Sequence, residues 1–273
     1  MISMPGLLAD APEIETSDPL FEFEHLRFAS TYSNALQRRG EICLFIPPLT
    51  PESADIPLVL LLHGFNGNAW SWALQGGVSK TATALVKSHE IRPMVVAMPG
   101  DGSLLANSGY LPYLGRDHEH WVVDEVLDIT RKLVKQVSNT SPVFLAGLSM
   151  GGFGALRLAA KYPDRYLGAA AHSPITKIQQ LEPSYGPPNS GGPDGDGESS
   201  ILFWAERNAR TIPPLQLTCG KDDPLIGECF QLHQSLKHLG VVHTYDEPNG
   251  DHSWQYWRKC LPGTLRFFED LLS

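Results

Sequence analysis

The chain has 273 residues, enough for one α/β domain with a large core. Its 42% hydrophobic and 19% charged content is that of a globular protein, and a formal net charge of −9 argues against nucleic acid or an anionic membrane as partner. No apolar run is long enough to span a membrane. Met1 to Asp18 carries neither a basic n-region nor an apolar h-region, so no signal peptide is expected and the cytoplasm is the expected location. The four cysteines, Cys43, Cys219, Cys229 and Cys260, lack C-x-x-C spacing and are expected as free, mostly buried thiols. Asn139-Thr140-Ser141 matches a glycosylation sequon, which matters only in a secreted protein.

Residues 1–20 are rich in proline and acid and are expected to lie loosely on the surface. From Phe21 to the C-terminus strands and helices alternate, with no internal repeat. Ile42 to Ile46 reads as a strand stopped by Pro47-Pro48. Leu58 to Leu62 is a continuous apolar run, as in a central parallel strand covered on both faces. Trp70 to His89 reads as helix interrupted at Gly76-Gly77, and Met94 to Met98 as a buried strand. Glu119 to Val137 is the clearest helix, with Val122, Val126, Ile129, Leu133 and Val137 on one stripe. Pro142 to Ala146 reads as a short buried strand and Gly152 to Lys161 as a helix. Tyr166 to His172 and Leu215 to Cys219 are further strands, and Leu225 to Leu239 is a helix. Val241 to Tyr245 is the last strand, and Trp254 to Leu272 a closing helix broken near Pro262-Gly263. Such alternation predicts a doubly wound, mainly parallel sheet. Residues 182–200 break the rhythm with a run of prolines and glycines, read as a substrate-facing lid or a mobile surface loop. Ile201-Leu202-Phe203-Trp204 reads as its apolar anchor.

Chemistry concentrates around Ser149, in Gly147-Leu148-Ser149-Met150-Gly151. A G-x-S-x-G pattern between strand and helix holds a serine in a strained turn with its hydroxyl exposed. The pentapeptide alone also fits a glycine-rich turn with a capping serine, so its weight comes from an acid and a histidine following in that order. A serine hydroxyl needs a base within hydrogen-bond reach, and the base needs an orienting group. His252 follows the last strand, in Asn249-Gly250-Asp251-His252-Ser253-Trp254, and is the first choice of base. A residue there can reach over the C-terminal strand ends, where open α/β sheets bind ligands. His172, at another strand end, is the alternative; His233, His238 and His243 read as surface or strand residues.

The acid is expected in Cys219-Gly220-Lys221-Asp222-Asp223-Pro224-Leu225. Asp223 is favoured because Pro224 biases it towards an extended backbone; Asp222 reads as a capping or solvated carboxylate. An oxyanion hole is also required, and its donors are expected at the Met150 and Phe65 amides. Phe65 lies in His63-Gly64-Phe65-Asn66-Gly67-Asn68, where glycines such as Gly64 allow close approach to substrate, and His63 reads as structural. Phe65, Tyr110, Phe153, Trp204 and Trp254 are candidates to line an apolar pocket, or plain core. His118-Glu119-His120 lacks a third ligand with metal spacing and reads as an exposed helix start, so no metal is expected.

The segments Leu-Leu-His-Gly-Phe-Asn-Gly-Asn, Gly-Leu-Ser-Met-Gly-Gly-Phe-Gly-Ala, Cys-Gly-Lys-Asp-Asp-Pro-Leu and Gly-Asp-His-Ser-Trp-Gln-Tyr-Trp occur in that order. Together they resemble the esterase D-like α/β-hydrolase family, over roughly residues 22 to 272. That family includes tributyrin-type esterases, S-formylglutathione hydrolases, feruloyl esterases and mycolyltransferases. The resemblance implies an α/β-hydrolase domain over residues 21–273, with Asp223 as acid and His252 as base. It implies a serine carboxylesterase acting on small acyl esters, without a cofactor. Gly64 and Trp254 are the expected substrate contacts. The His-Gly-Phe loop is more like the tributyrin-type enzymes than the cysteine-containing loop of typical S-formylglutathione hydrolases. A thioesterase, a feruloyl esterase and an acyltransferase on the same site are the alternatives, and a non-enzymatic binding module is the remaining one. The expected partner is a small ester, with neither nucleic acid nor membrane; homo-oligomerisation is left open.

Overall fold

A computed structural model describes residues 13–103, 107–181 and 197–273. Its centre is a nine-stranded sheet of β1 (Ile14–Thr16), β2 (Leu26–Ser33), β3 (Arg38–Phe45), β4 (Leu58–Leu62), β5 (Val95–Pro99), β8 (Val143–Leu148), β9 (Gly168–His172), β10 (Leu215–Thr218) and β11 (His243–Asp246). Their order is β1-β2-β3-β5-β4-β8-β9-β10-β11. From β5 to β11 every pairing is parallel, and β1, β2 and β3 add an antiparallel flank. A two-stranded hairpin of β6 (Pro112–Tyr113) and β7 (Arg116–Asp117) stands apart.

The continuous apolar strands are buried on both faces because their side chains alternate between two cores. Leu58, Leu60, Leu62, Val95, Ala97 and Leu145 point into one, and Val59, Leu61, Val96, Met98, Phe144 and Ala146 into the other. The first core is covered by α3 (Val126–Leu133), α4 (Met150–Lys161), α5 (Ile201–Asn208) and α6 (Ile226–His238). The second is covered by α1 (Val78–Lys87) and α7 (Trp254–Asp270). The chain leaves β4 for β5 on one side and later returns to β8 on the other. The loops after β4 and β8 therefore part at a topological switch point, which opens a crevice at the strand ends.

Several expectations change. Ile14–Thr16 is not loose: it pairs with β2 in register Ile14 to Thr31, and covers what would otherwise be an exposed sheet edge. Residues 1–12 lie outside the described residues, as do 182–196 of the proposed lid. Trp70 to His89 divides into a π-helical turn, Ser71–Gln75, and α1, parted at Gly76-Gly77 with Gly77 at φ 67°. The long helix expected to reach Val137 runs through α2 (His118–His120), a π turn at Trp121–Glu125, and α3, then stops at Leu133. Val134 is extended, yet it and Val137 stay buried, so their spacing reported burial in a turn. Pro262 does not break α7. The carbonyl it deprives of a donor belongs to Arg258, on the exposed side. The buried stripe Tyr256, Trp257, Leu261, Thr264, Leu265 and Phe268 holds the helix on both sides of it. No helix among the described residues is long and apolar enough to cross a membrane.

Candidate active site

β8 runs into Ser149, and α4 begins at Met150. Ser149 adopts φ 51°, ψ −116°, a strained conformation that costs about 1–3 kcal/mol and persists only where its surroundings impose it. They do. Its N–H donates to His172 O (2.9 Å), and its carbonyl accepts from Phe153 N (3.1 Å) and Ile175 N (3.2 Å). Two flanking glycines are required by backbone contact. A Cβ on Gly147 would lie 2.3 Å from the Gly151 carbonyl carbon, and one on Gly151 would lie 2.3 Å from Leu62 O.

His252 reaches Ser149 from the loop between β11 and α7. Its Nε2 lies 3.1 Å from Ser149 Oγ, and its Nδ1 lies 2.9 Å from Asp223 Oδ2 and 3.1 Å from Oδ1. The loops that carry Asp223 and His252 touch backbone to backbone: a Cβ on Gly220 would lie 2.2 Å from Gly250 O. Asp222 N–H donates to Gly250 O (2.9 Å) while its side chain faces solvent. Asp223 is buried. Burial alone would raise its carboxyl, but hydrogen bonds from His252, Ser173 and the Leu225 amide outweigh that and hold it below the usual range. An ionised Asp223 accepts the hydrogen bond from Nδ1–H and so keeps that proton on Nδ1, which leaves the Nε2 lone pair facing Ser149 Oγ. The sequence singled out neither Ser173 nor Trp257. The Trp257 ring meets His252 edge-on, with centroids 5.0 Å apart at 87°.

Met150 places its amide at the first position of α4, directly after Ser149, where N–H groups have no partner within the helix. The loop after β4 comes alongside. A Cβ on Gly64 would lie 3.3 Å from Ser149 Cβ. Gly64 to Gly67 forms a turn, with Gly67 N–H on Gly64 O (3.0 Å) and Asn66 at φ 57°. Phe65 stands partly exposed at its tip. His63 is structural: Nδ1 bonds Gly64 O (2.7 Å) and Nε2 accepts from Asp101 N (3.0 Å). Burial lowers its pKa, so the neutral ring clamps two loops together. Each loop is also held by a tryptophan from a π turn. Trp72 Nε1 donates to Leu62 O (2.9 Å), and Trp121 Nε1 to Gly100 O (2.8 Å).

Other candidates lie elsewhere. His172 is fully buried between Thr218 Oγ1 (2.9 Å) and Thr264 Oγ1 (3.1 Å), and burial pushes its pKa down to about 4. It presents only its carbonyl to Ser149. Tyr110 and Phe153 are core; the Tyr110 hydroxyl donates to His63 O (2.9 Å). Trp204 packs against Lys161 on α4 (5.1 Å), and its indole N–H donates to Glu198 O (3.2 Å). Trp254 packs between Trp72 and Trp257, at 5.3 Å from each. A surface cleft of about 730 Å³ lies at the β6–β7 hairpin, away from Ser149.

His118-Glu119-His120 is not an exposed helix start, because His118 and Glu119 are buried. Among the described residues no group of three or more ligands could hold a metal ion. Glu119 is instead paired with Arg157, Lys161 (2.8 Å) and Tyr162 on and beside α4. Burial works to raise its carboxyl; Arg157, Lys161 and Tyr162 outweigh it and hold it down to about 2. Folded Glu119 thus binds a proton more weakly than unfolded. Its stabilisation is present above about 4.5 and is lost as pH falls towards about 2. The shift corresponds to about 3 kcal/mol. Glu119→Gln is expected to lower Tm at neutral pH by roughly 10 °C. Melting curves of variant and parent should converge in acid; parallel curves would show that the carboxylate charge does not supply this stability.

An elbow serine at a switch point, with histidine and aspartate brought to it on later loops, defines a protein of the α/β-hydrolase class. The model of the Esterase family matches residues 33–216, and the chain belongs to that family of carboxylic ester hydrolases. An acetyl esterase of Caldicellulosiruptor saccharolyticus is 28% identical over 268 residues, covering 86% of this chain and 95% of the relative. Among solved structures, a ferulic acid esterase superposes with a TM-score of 0.78 at 22% identity, covering 95% of this chain and 99% of that one. An S-formylglutathione hydrolase from Agrobacterium tumefaciens gives 0.75 at 19% identity, covering 91% and 95%.

Proposed function

We propose that the chain is a serine esterase that cleaves small acyl esters through an acyl-enzyme. The hydrogen-bonded line from Ser149 Oγ through His252 to Asp223 carries this reading. Ser149 Oγ attacks the ester carbonyl while His252 Nε2 takes its proton. Charge on the carbonyl oxygen is held by the Met150 and Phe65 amides. The tetrahedral adduct collapses, and His252 returns the proton to the departing alcohol. Water then attacks the acyl carbonyl while His252 accepts its proton; the adduct collapses, His252 returns that proton to Ser149 Oγ, and the acid departs. Asp223 holds the imidazole in the productive tautomer and balances its charge. Gly64 lets the ester approach the oxyanion loop, and Trp254 supplies an apolar wall. None of these steps calls for a cofactor.

The likeness to an acetyl esterase along most of both chains supports a small acyl group. Initial rates on p-nitrophenyl esters from acetyl to decanoyl test it, with S-formylglutathione and methyl ferulate in the same panel. Turnover is expected to be highest on acetyl and to fall with chain length. A preference for the thioester or the ferulate would replace the substrate and keep the mechanism. No turnover on any of them would overturn the reading.

A further inference from the structure

Ser173 directly follows β9, is completely buried, and sits at φ 46°. A non-glycine residue held in that region is sterically costly. Its amide is fixed by Thr218 O at 2.7 Å. Its hydroxyl oxygen accepts from Trp257 Nε1 at 3.3 Å. That direction is forced, because an indole N–H can only donate. The hydroxyl proton is therefore free to be donated, and its acceptor is the Asp223 carboxylate. The carboxylate thus sits among three donors: Ser173, the Leu225 amide (2.9 Å to Oδ1) and His252 Nδ1. The same Trp257 presses its ring against His252. One indole from α7 therefore braces the acid through Ser173 and the base directly.

We propose that Ser173, oriented by Trp257, is a positioning residue for the hydrolytic reaction: its hydroxyl fixes the Asp223 carboxylate and, through it, the His252 ring. The proposal rests on the serine esterase reading above. Ser173 touches neither Ser149 Oγ nor the imidazole and acts only through Asp223. Two donors from outside the histidine leave the carboxylate one favourable orientation, the one that faces Nδ1.

The test uses Ser173→Ala, Trp257→Phe and the double variant, with Ser149→Ala as control. Ser173→Ala is expected to lower kcat by about 10- to 100-fold, the size of one hydrogen bond to a charged group, with KM unchanged. The acid limb of the kcat/KM profile should move to higher pH, because a carboxylate relieved of one donor attracts the imidazolium proton more strongly. Ser173→Ala also strands the Trp257 N–H and should lower Tm. The double variant removes that stranded donor and should recover Tm without recovering kcat. Trp257→Phe should lower kcat in the parent and have a smaller further effect beside Ser173→Ala, since only its edge contact with His252 is then left to change. Parent-like kcat and pH profile in Ser173→Ala would overturn the proposal, as would kcat recovering together with Tm in the double variant. Turnover retained by Ser149→Ala would instead overturn the underlying esterase reading.

Discussion

Replacing Ser149 by alanine is expected to lower kcat on every ester by on the order of 10⁶, with the fold unchanged. The local geometry explains why the two effects separate. The costly backbone conformation at φ 51° is borne equally by serine and alanine, so the substitution adds no strain. The bonds that hold the elbow, to His172 O, Phe153 N and Ile175 N, are all made by the Ser149 backbone and survive the change. Among the described residues the hydroxyl itself bonds only His252 Nε2, which is partly exposed and can turn to water. Thermal melting should therefore be parent-like while turnover disappears. A serine-directed phosphonate should add its mass to the parent chain and leave the variant unmodified. Residual hydrolysis above the uncatalysed rate would be owed to the Met150 and Phe65 amides. Parent-like turnover in Ser149→Ala would remove the nucleophile from the mechanism.

Legibility followed the physical origin of each feature. Strands β4, β5 and β8 were visible because burial on both faces demands unbroken apolar runs such as Leu58–Leu62. The elbow was visible because backbone contact at Gly147 and Gly151 forbids any side chain, which writes glycine into the sequence. Local signals misled where tertiary packing decided. Leu133 ends a helix without any breaker residue, since Val134 and Val137 keep the same core contacts from a turn. Pro262 is tolerated because the buried stripe of α7 outweighs one missing hydrogen bond. His118 and Glu119 were hidden because their partners, Asp101 and Arg157, lie far along the chain. Ser173 and Trp257 were hidden for the same reason: a serine after a strand and a tryptophan in an amphipathic helix are unremarkable until α7 folds across β9. The His63 clamp offered more of a signal, since a histidine between a buried strand and a glycine turn has few solvent-facing options.

The choice between two adjacent carboxylates gives the second large effect. Asp223→Asn is expected to lower kcat by about 10⁴, and Asp222→Asn to leave it unchanged. Asparagine at position 223 keeps the size and shape of the buried side chain, but its amide can donate. An NH2 group facing Nδ1 forces the imidazole proton onto Nε2, 3.1 Å from Ser149 Oγ, where the lone pair is needed. The ring then cannot accept the hydroxyl proton. The charge that would balance the imidazolium is also gone, from a site where neighbouring hydrogen bonds favour the ionised form. Asp222 faces solvent and contributes to the junction of the two loops through its backbone amide on Gly250, which asparagine retains. Both variants should bind substrate as the parent does, because Asp223 is turned to His252 and Asp222 to solvent, so the loss belongs in kcat and not in KM. Steady-state kinetics on the preferred p-nitrophenyl ester, with melting curves to verify the fold, reads the contrast directly. Equal losses at both positions would mean that the loop matters as a charged unit. A loss confined to Asp222→Asn would move the acid by one residue and leave the Asp223–His252 pair without a catalytic role.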